Sequence, residues 1–208
     1  MSNTAVHDRV VPVANLRDFF RESIDSATDN QRVKINPHTS HYVVNLLTLF
    51  ARSDELYEDY DDGYGVRPLA LMMADAADAP TPAQRSFSLQ RIGDVALFTA
   101  GFFADSLQYR PVDIDYYICM GGNAYDSLSD EIRGTTRGKA LVNVYRELAQ
   151  KFQSLVDVLN EVRDGARRST DLNLLRTYEV WRKTGSARAA SLLKKNGVVP
   201  LKGKGGSH

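Results

Sequence analysis

Apolar positions recur at steps of three and four along most of this chain, and the strict alternation of a half-buried strand is scarce. Leu16, Phe19, Phe20, Ile24 and Ala27 predict an amphipathic helix over 15–29. Asn36-Pro37 places a capping side chain before a proline at the first helical position. Tyr42, Val43, Leu46, Leu47, Leu49 and Phe50 carry that helix to about Arg52, with Tyr57 as its outer limit. Asp59 to Gly65 (DYDDGYG) reads as a loop. Pro68 opens a short helix through Ala77, and Thr81 caps the next one, which Pro82 opens.

Residues 92–104 are apolar all round except Asp94 and Thr99, the pattern of a helix inside a bundle. Gly93 and Gly101 each cost about 1 kcal/mol against alanine in a helix interior, so a close neighbouring helix is expected there. This central helix, taken as 87–108, ends at Arg110-Pro111, and a helix over 113–132 follows with Gly121-Gly122 as a small-residue notch. Leu141, Tyr145, Leu148, Phe152, Leu155, Leu159 and Val162 are spaced 4, 3, 4, 3, 4, 3, a heptad seam within a helix over 139–163. Val144, Val156 and Val158 widen the stripe, which favours a bundle over an isolated two-stranded coil. Helices over 171–183 and from Ser186 to Asn196-Gly197 complete the set. The expected fold is all-α, a single-domain bundle of seven to eight helices around a buried central helix. Residues 1–14 and 201–208 read as flexible ends of a 15–200 domain, with a candidate joint at 134–138.

The chain has 208 residues, 43% hydrophobic and 25% charged, which excludes collagen-like, disulfide-rich and mostly disordered classes. Its 26 basic and 26 acidic residues cancel, but unevenly. Residues 1–132 hold 10 Lys+Arg and 20 Asp+Glu, net −10; residues 133–208 hold 16 and 6, net +10. The two halves can neutralise each other within one fold, meet in opposite copies, or offer the basic half to nucleic acid. The single cysteine, Cys119, excludes an intramolecular disulfide and a Cys-based zinc site, and reads as a packed thiol. The longest apolar stretch, Val95–Ala104, is about half a membrane span, so a cytoplasmic protein without a membrane partner is expected.

No Walker loop, dinucleotide fingerprint or His-Glu-x-x-His pattern occurs, and no cofactor is expected. Asp94 is the most informative polar residue, because an ionised carboxylate on an apolar helix needs a partner. Arg91 is the nearest in sequence, with Arg85 and Arg133 as alternatives; the bland outcome is a buried ion pair that fixes helix register. The functional outcome is a ligand cleft between the 87–108 and 113–132 helices, offering Asp94, Arg91, Asp105, Tyr116 and Tyr117. His38 and His41 stand at i, i+3 near a helix start, a spacing used by metal-binding helices, although one packed and one solvated histidine fits as well. The Asp59–Gly65 stretch departs from a calcium loop, because its glycine is one place early and the twelfth ligand is missing. In the basic third, Arg182, Lys183 and Arg188 are the candidates for phosphate contacts, with Tyr178 and Trp181 the nearby aromatics.

The segments RIGDVALFTAGFFADSL (91–107), DYYICMGGNAYDSLSD (115–130) and WRKTGSARAASLLKKNGVVP (181–200) resemble a family of bacterial all-helical proteins with no assigned activity. The resemblance implies a bacterial, cytosolic, helical protein and carries no site residues with it.

The expected function is therefore that of a non-enzymatic interaction or regulatory module that self-associates as a homodimer or meets another protein partner. The seam and the opposed charges motivate it. A small-molecule binder or enzyme using the cleft is the alternative, and nucleic-acid binding through the basic third is the other.

Overall fold

Two of the long helices start where a capping side chain precedes a proline. Asn36 accepts from the His38 N–H at 2.9 Å and Pro37 opens α2 (Pro37–Phe50). Thr81 does the same for Gln84 N–H at 3.2 Å, and Pro82 opens α4 (Pro82–Phe102). The computed structural model describes residues 13–51, 56, 58–60, 63–107, 112–135, 138–166, 186, 190, 191, 193 and 194. The expected 171–183 helix, nearly all of the Ser186–Asn196 helix, and most of the expected flexible ends lie outside the described residues.

The fold is all-α. Before α2 comes α1 (Val13–Gln31), closed by Arg32 in the left-handed conformation at φ 56°, with Val33 N–H donating back to the Thr28 carbonyl. Helices α3 (Leu69–Ala77), α5 (Ala104–Leu107), α6 (Ile114–Glu131) and α7 (Gly138–Gln150) follow in chain order, with α4 between α3 and α5, and α8 covers 152–166. Backbone bonds on either side of Lys151 make α7 and α8 nearly one rod, the predicted 139–163 helix with a single break. One departure from the expected pattern is small. The DYDDGYG stretch is a hairpin, not a loop: β1 (Glu58–Tyr60) pairs antiparallel with β2 (Gly63–Gly65), leaving two residues for the connection.

The chain divides into two compact units, 1–162 and 163–208. Residues 134–138, the expected joint, lie inside the first unit. In the second, Arg163 pairs with Asp164 at 2.9 Å and Leu193 is buried.

In the first unit α4 is the most enclosed helix, buried from Leu89 through Gly101 on most of its circumference and packed against α6, α3 and α2. Its glycines act as the sequence suggests. A Cβ on Gly93 would lie 2.5 Å from the Tyr125 ring, and Gly121 of α6 is pressed between Ala96 and the Phe152 ring. Losing the side chain at those points lets the helices approach. The heptad seam also faces inward. Tyr145, Leu148, Phe152, Leu155, Leu159 and Val162 are all buried in the core of this unit. A stripe consumed that way is not an exposed interface, so the seam no longer motivates self-association. Cys119, expected to be packed, is exposed on α6, and the Asn123 amide donates to its sulfur at 3.5 Å.

Candidate functional site

Asp94 finds its partners among tyrosines rather than arginines. Tyr42 of α2 and Tyr125 of α6 each donate a hydroxyl to Asp94 Oδ1 at 2.6 Å. Gln90, one turn before Asp94 on α4, donates to the Tyr42 oxygen at 3.1 Å. Tyr145 of α7 stacks on Tyr125 at 5.9 Å and meets Tyr42 edge-on at 5.5 Å. Four helices thus converge on one carboxylate. Desolvation dominates its titration and pushes it up to about 6, against the pull of the two tyrosine hydroxyls and the more distant Arg91 charge. Burial next to that carboxylate pushes both tyrosine hydroxyls far above their ordinary range, so they remain donors.

Arg91 lies elsewhere: its guanidinium sits 5.0 Å over the Phe50 ring and donates to the Leu56 carbonyl at 3.4 Å. Arg85 pairs with Glu131 at 3.3 Å and Arg133 with Asp130 at 2.6 Å. The three arginines considered for Asp94 are all engaged with other groups.

The structure does not gather the expected cleft residues. Tyr116 and Tyr117 form an edge-on pair at 5.7 Å at the start of α6. They stand eight and nine residues before Tyr125, about 12–14 Å along the helix axis. Asp105 is exposed on α5. Between α4 and α6 the space at Gly93 is taken by the Tyr125 ring.

An open groove of about 870 Å³ lies instead between α2 and α7. Its α2 wall carries His38, His41, Tyr42 and Asn45; its α7 wall carries Leu141, Asn143, Val144, Arg146, Glu147 and Gln150. One end is closed by Glu147. That carboxylate accepts from the Thr39 hydroxyl at 2.6 Å, from the Asn36 N–H at 3.0 Å and from Lys151 at 2.7 Å. Lys151 also donates to the Lys34 carbonyl. Burial raises the Glu147 carboxyl, but these hydrogen bonds outweigh it and hold the group below its ordinary range. Further along, Arg146 is half-buried and has no hydrogen-bond or ion-pair partner among the described residues. Asn45, Asn143 and Gln150 are exposed.

His38 and His41 both line this groove. His41 Nε2 accepts from the Arg17 guanidinium at 3.2 Å, which points its lone pair at a cation. No group of three or more His, Cys, Asp or Glu side chains able to hold a metal is present among the described residues. Arg182, Lys183 and Arg188 lie outside those residues. No described helix is long and apolar enough to cross a membrane.

Compared with protein-family models, with curated proteins and with solved structures, the chain matches nothing.

Glu147 and Arg146 went unnoticed in the sequence because each is one charge on an amphipathic helix. Only the cap at Asn36 hinted at the site, and its carboxylate partner lies 111 residues away.

Proposed function

We propose that the protein is a non-enzymatic interaction module that receives a segment of a partner protein in the groove between α2 and α7. The observation that carries this reading is the contrast between its two polar centres. In the Asp94 cluster two tyrosine hydroxyls converge on Oδ1, whereas the groove holds a half-buried arginine with no partner among the described residues, between two walls of exposed amides. The oxygen Oδ1 of Asp94 is committed to Tyr42 and Tyr125, a structural use of the carboxylate. An open groove walled by α2 and α7, apolar at Leu141 and polar at its edges, has the build of a peptide-docking surface.

Self-association now draws only on the opposed charges of the two parts of the sequence, since the seam is internal. A ligand cleft between α4 and α6 gains no support from the packing at Gly93.

The experiment is selection of displayed random peptides on the full chain, with counter-selection on an Asn143→Trp variant. Asn143 is exposed, so the indole fills the groove without entering the core. Circular dichroism checks that the variant folds. The expected result is a set of peptides that bind the native chain and lose the variant. Peptides that bind both equally, or no enrichment at all, would overturn the reading.

A further inference from the structure

Resting on the groove reading above, we propose that the occupant is an acidic, amphipathic helical segment of a partner protein, and that Arg146 anchors one of its carboxylates.

Charge is the first reason. Arg146 and Lys151 are the cations lining the groove among the described residues, and Glu147 is the carboxylate there. Glu147 is already used: Lys151, Thr39 and the Asn36 N–H all donate to it. Lys151 is neutralised by that bond, which leaves Arg146 as the uncompensated charge. The residue is half-buried, but none of its guanidinium nitrogens is among the buried atoms that lack a partner, so the fork is open to an incoming group. No described residue supplies it with a partner. The planar fork of arginine suits a carboxylate, which it can hold through two parallel hydrogen bonds.

Length is the second reason. The walls run from Asn36 to Asn45 on α2 and from Ala140 to Gln150 on α7. Glu147 bonds across to Asn36 and Thr39 at one end, so the open walls are 41–45 and 140–146, about 6–9 Å, the rise of one to two turns of a docked helix. Leu141, partly buried on the α7 wall, gives such a helix an apolar point to lie against, with buried Val144 behind it. A nucleic acid strand would want exposed aromatic faces for its bases. The groove's aromatic, Tyr42, already has its ring edge-on against Tyr125 and Tyr145 and its hydroxyl on Asp94.

The test is a titration of the isotopically labelled full chain with two synthetic peptides of about four helical turns. One carries leucines on one face and glutamates on the other. Its counterpart has glutamine for every glutamate. The side-chain amide signals of Asn45, Asn143 and Gln150 report directly from the groove walls. The glutamate peptide is expected to move all three and to bind at least about tenfold more tightly than its counterpart. Arg146→Gln should remove that preference, and Arg146→Lys should keep part of it. Asn143→Glu, on the exposed wall, should weaken the glutamate peptide and spare the glutamine one.

Equal binding of the two peptides would overturn the acidic occupant and leave the groove reading standing. Silence of the three amides toward both peptides, with displayed peptides still selected, would overturn the acidic helix alone. An oligothymidylate that moves the amides where the glutamate peptide does not would replace the protein partner with nucleic acid. Failure of the display selection as well would remove the groove reading itself.

Discussion

The Tyr42 hydroxyl donates to Asp94 Oδ1 across 2.6 Å, and Tyr42 is also a wall residue of the groove between α2 and α7. One side chain therefore joins the internal polar centre to the open one. The Asp94 carboxylate ties α2 to α4 through Tyr42, and α6 to α4 through Tyr125.

The carboxyl of Asp94 titrates near 6 in the fold against a usual value near 3.8, so the folded state holds this proton more tightly than the unfolded chain. Its contribution is most favourable below about pH 4, declines as pH rises toward 6, and is constant above. Asp94→Asn keeps an acceptor for both tyrosines and carries no charge. Urea unfolding of that variant should show the pH 4–6 decline removed, by no more than about 3 kcal/mol.

Tyr125→Phe deletes one of the two donors to Asp94 and leaves the ring that fills the space at Gly93. The loss of a hydrogen bond to a charged group should cost about 1.5–3 kcal/mol at pH 7. The remaining carboxylate is then less well stabilised, so its titration in a carbonyl-detected NMR experiment should move further up, not down.

Glu147 shows the opposite sign. Its folded value is lowered, so its contribution is present above the usual 4.5 and fades as the pH falls below it. Glu147→Gln should remove this acid-side loss. It should also speed amide exchange at His38 and Ser40 in the first turn of α2, because the clamp on Thr39 and Asn36 loses its charge.

Leu148 and Leu155 are both 0% exposed. Each change to alanine should cost about 2–5 kcal/mol as a cavity within one chain. The unfolding midpoint of either variant should be independent of protein concentration. A midpoint that shifts with concentration would show that the seam is shared between copies.

Gly93→Ala would place its methyl group on the Tyr125 ring, at 2.5 Å. Thermal unfolding should show a loss of about 1–3 kcal/mol. A smaller loss is expected in a Gly93→Ala, Tyr125→Leu double variant than the two single losses predict when added.

Most helices were legible because their signals are local. Asn36-Pro37 and Thr81-Pro82 mark starts, and three- and four-residue spacing marks faces. The close approach at Gly93 was legible too, since a glycine on an apolar helix has few other uses. Periodicity says that a face is apolar but not what covers it, which is why the 141–162 stripe could stand equally for a core and for an interface. The partners of Asp94 were illegible for a different reason. Tyr42 lies 52 residues before it and Tyr125 lies 31 after it, and nothing local distinguishes them from the other tyrosines. The DYDDGYG hairpin was hidden by its length, three residues per strand, too short for an alternation to register.

The clamp at the start of α2 also sets an order of events when the chain is made. Thr39 waits 108 residues for the carboxylate of Glu147. At ordinary rates of synthesis that is roughly 5–20 s. During that interval the first two helices leave the ribosome with an unfinished N-terminal turn and an uncovered apolar face. The emergence of α7 supplies the carboxylate and closes that interval.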